Sequence, residues 1–352
     1  MKKLTKEFLH SLPKAELHCH LDGSMRVETI IDLAKKQGVK LPESDPKKLE
    51  KLLIAGPWCE SLVDYLRAFD ITTSVMQTAE SLRRATYELA EDNAAENVRY
   101  LEIRFSPILH TNEGLNLTDV IDAVILGKEQ AEKAFNITIG IIVCGLRHFS
   151  AEKSLTLAEL TVAYKNAGVV GFDLAGAEEN FPAKDHKEAF YLIVNNNINT
   201  TVHAGEAYGP ESIHQAIHYV SANRIGHGTR LREDGDLLNY MNDHRIPLEV
   251  CITSNVQTKA VDNLKNHPVK FYFNYGLRVT LNTDNRLISG TTLTDEYWLA
   301  VKEFGFTAQE IKYLILNGFK SAFLPHKKKV AMIKSVMKEL EEKGLKITTD
   351  YM

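Results

Sequence analysis

Ala15-Glu16-Leu17-His18-Cys19-His20-Leu21-Asp22-Gly23 is a short apolar stretch interrupted by two histidines and closed by an Asp-Gly turn. Strand side chains alternate between faces, so His18 and His20 share one side and Cys19 takes the other. Two imidazoles on one face at a strand end make half of a zinc site, because neutral histidine nitrogen suits borderline metals. Taken alone, the pair reads sooner as two ordinary surface or core histidines. The rest of the chain decides between these readings.

Outward from this stretch, short segments rich in apolar and β-branched residues recur at 98–105, 137–146, 169–174, 199–203, 224–226, 247–252 and 277–281. With 15–21 they make eight. Stretches with apolar residues at three- and four-residue spacing lie between them, at 27–37, 117–135, 151–166, 186–195 and 211–222. This alternation is the signature of a parallel α/β architecture. It predicts a (β/α)₈ TIM barrel in a single domain over 1–352, with an open doubly wound sheet as the alternative. Residues 39–97 form the main interruption after strand 1. There, a Pro-containing loop and two helical patterns, near 59–77 and 79–97, are placed to cap a barrel mouth. After strand 8, helical patterns at 294–304, 308–320 and 329–343, broken at Pro325, form a C-terminal extension.

The 352 residues carry 42 Lys and Arg against 46 Asp and Glu, a net charge of -4, with no long block of like charge. A nucleic-acid partner would normally leave a basic face or tail. Cys19, Cys59, Cys144 and Cys251 are far apart and form no CxxC pair, which argues against a disulfide scaffold or a cysteine zinc knuckle. The Met1-Lys2-Lys3-Leu4 start is followed by polar Thr5, Lys6, Glu7, His10 and Ser11 rather than a signal core. No stretch approaches the ~18 apolar residues of a membrane span. The expectation is a cytoplasmic protein with no membrane partner. The sequence assigns no oligomeric state.

If the barrel closes, the ends of strands 1, 5 and 8 face one mouth, where catalytic groups of such barrels collect. His203 closes strand 5 and Asp284 follows strand 8, adding a third nitrogen and a carboxylate to His18 and His20. Glu206 lies three residues beyond His203, able to approach a substrate without being a ligand, or else to serve as a first-turn helix acid. His227 stands between Gly226 and Gly228 at the end of strand 6 and would be a structural histidine if it stood alone. Asp173-Leu174-Ala175-Gly176-Ala177-Glu178 offers a tight turn with exposed backbone donors. The remaining histidines, His148 among them, read as surface or packing residues, and the aromatic group at 271–275 as core or lid.

Together, His18-Cys19-His20-Leu21-Asp22-Gly23-Ser24, Asp173-Leu174-Ala175-Gly176, His203-Ala204-Gly205-Glu206, Gly226-His227-Gly228 and Asn282-Thr283-Asp284 resemble the adenosine deaminase family of metal-dependent hydrolases, in family order over nearly the whole chain. The resemblance implies one zinc ion per chain, bound by His18, His20, His203 and Asp284. It also implies hydrolytic deamination of adenosine, and of 2′-deoxyadenosine, to inosine in purine salvage. In that scheme Glu206 protonates purine N1, His227 orients the attacking hydroxide, and Asp284 also holds it. Asp22 meets the ribose 5′-hydroxyl and the Gly176 backbone reaches N3. Glycine at the end of strand 4, where some relatives carry a metal-bridging lysine, favours one metal over two.

One departure stands out: Asp284-Asn285-Arg286 replaces the more common Asp-Asp-Pro. N7 only accepts hydrogen bonds, so an amide can donate there without the protonation that a carboxylate needs. Asn285 is therefore expected to keep ring recognition. Alternatives are a deaminase of adenine, a modified adenine nucleoside or an adenine nucleotide, or a noncatalytic purine-binding protein. The last would be marked by loss of Glu206 or a metal ligand, and none is lost.

Overall fold

The computed structural model describes residues 4–56 and 59–345; two residues of the 39–97 segment, the first three residues of the positive start and the last seven of the chain lie outside them. Eight parallel strands run in sequence order: β1 Lys14–His20, β2 Val98–Phe105, β3 Thr138–Leu146, β4 Val169–Ala175, β5 Asn199–Ala204, β6 Arg224–His227, β7 Leu248–Val250 and β8 Val279–Leu281. The (β/α)₈ expectation is met and the open doubly wound sheet is excluded, because the strands are unpermuted and the last meets the first. At that seam Asp284 N donates to His18 O (2.9 Å) and His20 N donates to Asp284 O (2.8 Å). Below them, Leu17 N donates to Asn282 Oδ1 (2.9 Å).

Alternation sorts the side chains of each strand. Along β1, Ala15, Leu17 and Cys19 join the apolar core, while Glu16 and His18, although fully buried, engage polar partners. The interior of the barrel is unusually charged for a parallel sheet. Glu102 and Arg104 on β2, Asp173 on β4, Arg224 on β6 and Glu249 on β7 are all essentially inaccessible to solvent. Charges survive burial only when paired and hydrogen-bonded. Here Arg104 bonds Asp173 (3.0 Å) and Glu249 (2.9 Å), and Arg224 bonds Glu249 and Glu102.

The segment after β1 differs in detail from its sequence reading. What reads as a Pro-containing loop holds a helix, Pro46–Leu53. Asp45 caps it by accepting from Lys48 N, and Pro46 occupies the first turn, where its missing N–H costs nothing. The pattern near 59–77 splits into two short helices, Leu62–Leu66 and Phe69–Ser74. In the second, Thr72, Thr73 and Ser74 turn their hydroxyls back onto carbonyls three or four residues earlier, a competition with the backbone that favours an end to the helix. The second pattern forms the long helix Ala79–Ala95. The aromatic group at 271–275 is only partly core, since Tyr272 is buried while Phe271 and Tyr275 face outward. Helices Leu293–Phe304, Ala308–Ser321 and His326–Glu342 form the C-terminal extension, and Pro325 marks the break before the last.

Candidate active site

The four expected ligands converge. His18, His20, His203 and Asp284 each present one ligand atom, and these atoms all lie within 4.8 Å of one another. Asp284 Oδ1 is 3.3 Å from both His18 Nε2 and His20 Nε2. Its other oxygen is held by the Ser254 hydroxyl at 2.7 Å, which leaves Oδ1 for the cluster.

Buried acids beneath the cluster set two of the rings. His18 Nδ1 donates to Glu249 Oε2 (2.8 Å) and His203 Nδ1 donates to Asp173 (3.1 Å to Oδ2). A proton fixed on Nδ1 leaves the Nε2 lone pair free, as metal-ligating histidines require. His18 Nε2 is buried and has no hydrogen-bond partner. An unanswered nitrogen lone pair amid two more imidazoles and a carboxylate fits a bound cation of the zinc type.

Backbone conformations place the remaining groups. Asp284 (φ 61°) and His227 (φ 63°) occupy the left-handed region, uncommon for residues other than glycine and concentrated at functional sites. Next to His227, Gly226 cannot be replaced freely, because a Cβ there would lie 3.0 Å from the His18 ring.

Glu206 is buried, with the Thr258 hydroxyl 2.9 Å from Oε1 and His227 Nε2 3.5 Å from Oε2. Burial first, then the nearby carboxylates Asp284 and Glu178, hold its carboxyl well above the usual range. The protonated form is thereby favoured over the carboxylate. For Asp284, burial pushes the same way, but the imidazoles of His18, His20 and His227 around it prevail and hold it below the usual carboxylate range. Burial and the surrounding imidazoles push His227 well below the usual histidine range, so it is neutral.

These groups open into a cavity of about 270 Å³ that also reaches Asp22, Ser106, Leu146, Gly176 and Asn285. Asp22 is raised to about 7 by burial, and its Oδ1 has no partner. The Asn285 amide donates to the Tyr65 hydroxyl (2.9 Å), and its Oδ1 is unpartnered. Leu62, Tyr65, Leu66, Phe69 and Thr73 from the two short helices complete the wall, so the segment after β1 covers the mouth.

Several residues of the site escape a strand-end reading. His148, read from the sequence as surface or packing, lines the cavity. Glu178 accepts the backbone N–H groups of Gly205, Glu206, Ala207 and Tyr208 (2.6–3.1 Å) and so fastens the turn that carries Glu206. Glu249 left a signal of its own, a single charge between Leu248 and Val250, and Arg104 another, one of three charged residues in β2 with Arg99 and Glu102. Ser254, Asn255 and Thr258 left none before the short helix Ile252–Gln257 was seen to follow β7.

A closed parallel barrel with three imidazoles, a carboxylate and a buried glutamate at the C-terminal ends of its strands has the layout of a metal-dependent hydrolase. Residues 13–339 match the family model described as adenosine deaminase. The chain is 45% identical to a probable adenosine deaminase of Dictyostelium discoideum, over 98% of its own length and 44% of that longer protein. It is 43% identical to an adenosine deaminase of Clostridium acetobutylicum, covering 94% of this chain and 99% of that one. Among solved structures, an adenine deaminase from Arthrobacter aurescens superposes with a TM-score of 0.87 at 29% identity, over 94% of this chain and 99% of that one. The chain belongs to the adenosine deaminase family, and it is an enzyme of that family.

Proposed function

We propose that the protein hydrolyses the 6-amino group of adenosine, giving inosine and ammonia, with one zinc ion held by His18, His20, His203 and Asp284. The observation that carries this reading is a buried glutamate, Glu206, whose carboxyl is held well above the usual range beside a buried three-histidine, one-carboxylate cluster. When bound, zinc supplies a Lewis acid that lowers the pKa of water to about 7.

The chain's own residues supply the rest. Attack of water oxygen at C6 ends the aromaticity of the ring and drives an electron pair towards N1. Glu206 gives its proton there, a step of the kind worth roughly 10² to 10⁴ in rate. His227 orients the attacking oxygen; of that water's two protons, one passes to the exocyclic nitrogen, which leaves as ammonia, and the other restores Glu206. Gly176, with φ 89°, brings backbone close to the ring, and Asn285 faces its five-membered side.

The lining favours a nucleoside over a nucleotide. Among the described residues it contains Asp22 and Asp70 and no lysine or arginine, so a phosphate would find no cation to receive it. It also extends beyond what bare adenine would engage, with Asp22 available to a sugar hydroxyl. We place the enzyme in purine salvage, acting as one domain in the cytoplasm. Four free cysteines, all buried, suit a reducing compartment, and no described helix is long and apolar enough to cross a membrane.

The test is loss of adenosine absorbance with zinc-loaded protein, beside adenine, 2′-deoxyadenosine and AMP, each with a chelated control. Chelator-sensitive turnover of adenosine above adenine and AMP is expected. Preference for AMP would overturn the substrate reading and leave the chemistry standing.

A further inference from the structure

His227 reaches the site at the end of a hydrogen-bond chain that begins at a backbone group outside it. Pro268 has no N–H, so the first donor of the helix Val269–Tyr275 is Val269 N. It donates to His267 Nδ1 at 3.1 Å. A backbone N–H can only donate, so His267 Nδ1 must be the accepting nitrogen and its proton sits on Nε2. That proton points at Asn255 Oδ1, 3.2 Å away. With its oxygen thus engaged, Asn255 turns its Nδ2 towards His227 Nδ1 at 2.9 Å. An amide nitrogen also only donates, so His227 Nδ1 must accept. His267, Asn255 and His227 are all buried, and burial pushes His267 down to about 3, so water and protonation do not scramble the order.

We infer that Asn255 and His267 are positioning residues that fix His227 as the neutral tautomer with its proton on Nε2, the nitrogen that faces Glu206 and the cavity. This rests on the deaminase reading for its consequence, though not for its geometry. A nitrogen that carries hydrogen in the ring plane has no lone pair to offer. His227 therefore donates to the attacking oxygen and does not take its proton. Each link is unambiguous because the polarity is set at one end, by a peptide group that cannot reverse.

The experiment is a long-range ¹H–¹⁵N correlation spectrum of zinc-loaded, ¹⁵N-histidine-labelled protein, read beside kinetics. In the wild type, His227 should show a protonated Nε2 and a bare Nδ1. Asn255→Asp replaces the donor facing His227 with an oxygen, so the proton should move to Nδ1. With zinc content unchanged, kcat should then fall by about 10² to 10⁴ with KM within about threefold, a range whose upper end is the loss that a wrong histidine tautomer causes in a serine protease triad. His267→Gln keeps an acceptor and a donor side by side. It should retain the wild-type His227 pattern and most of kcat.

A bare Nε2 in the wild type overturns the inference, and that spectrum decides even where Asn255→Asp fails to fold. An unchanged His227 pattern in folded Asn255→Asp overturns it too. A protein that shows the Nε2 proton but leaves adenosine untouched keeps the relay and loses the deaminase reading instead.

Discussion

Two levels inside the barrel treat polar atoms in opposite ways. At mid-height, each of the carboxylates Glu102, Asp173 and Glu249 is answered by an arginine, and two of them also by a metal-facing histidine. One level up, at the mouth, His18 Nε2 and Asp22 Oδ1 are buried with no partner, and the Glu206 carboxyl is held well above the usual range. The saturated level holds rings in position. The unsaturated one leaves bonds for a cation and a substrate to complete, and preorganised groups of this kind are what lower a barrier.

The contrast implies that changes at the mouth reduce turnover while changes at mid-height reduce stability. Glu206→Gln should lower kcat/KM by about 10² to 10⁴ while zinc content and the unfolding midpoint are kept. Full activity in that variant would remove Glu206 from the chemistry. Arg104→Met should do the reverse first, leaving Asp173 and Glu249 short of a partner and reducing stability by about 3–5 kcal/mol in urea titration. A loss below about 1 kcal/mol would mean that the lower level is not the more tightly coupled one.

Asn285→Ala should cost adenosine turnover about tenfold in kcat/KM, the scale of one hydrogen bond. An unchanged value would take Asn285 out of ring recognition. The smallest effect is electrostatic. Turnover needs the Glu206 proton, so it falls as pH rises through that raised pKa. Glu178→Gln removes one of the negative charges that oppose ionisation of Glu206, so the alkaline limb of the pH–rate profile should move to lower pH. A limb that stays or moves upward would break this account of how Glu206 holds its proton.

The two levels were unequally legible in the sequence. The mouth declares itself, because His18, His20, His203, His227 and Asp284 sit at the ends of apolar runs, where a chemically odd residue stands out. Glu249 and Arg104 sit within such runs, and nothing local says that they meet each other or His18 across the barrel. Their pairing is a fact of closure. The helix Pro46–Leu53 was legible in its Asp45-Pro46 start but is masked by the proline that also marks loops. The Asn255–His267 chain depends on the packing of two short helices after β7 and β8's approach, which no periodicity encodes.

The seam between β1 and β8 has a consequence for how such a protein is made. Its hydrogen bonds join residues such as Leu17 and Asn282, 265 positions apart. The candidate ligands stand on both sides of it, His18 and His20 on β1 and Asp284 just after β8. On a ribosome, the first two are synthesised long before the carboxylate emerges, and a chain halted at β7 would offer a metal only nitrogen. The complete four-ligand site thus becomes available only once β8 and Asp284 have emerged, and a metal held there would act as a clasp between the first and last strands, whose closing costs the entropy of a very long loop.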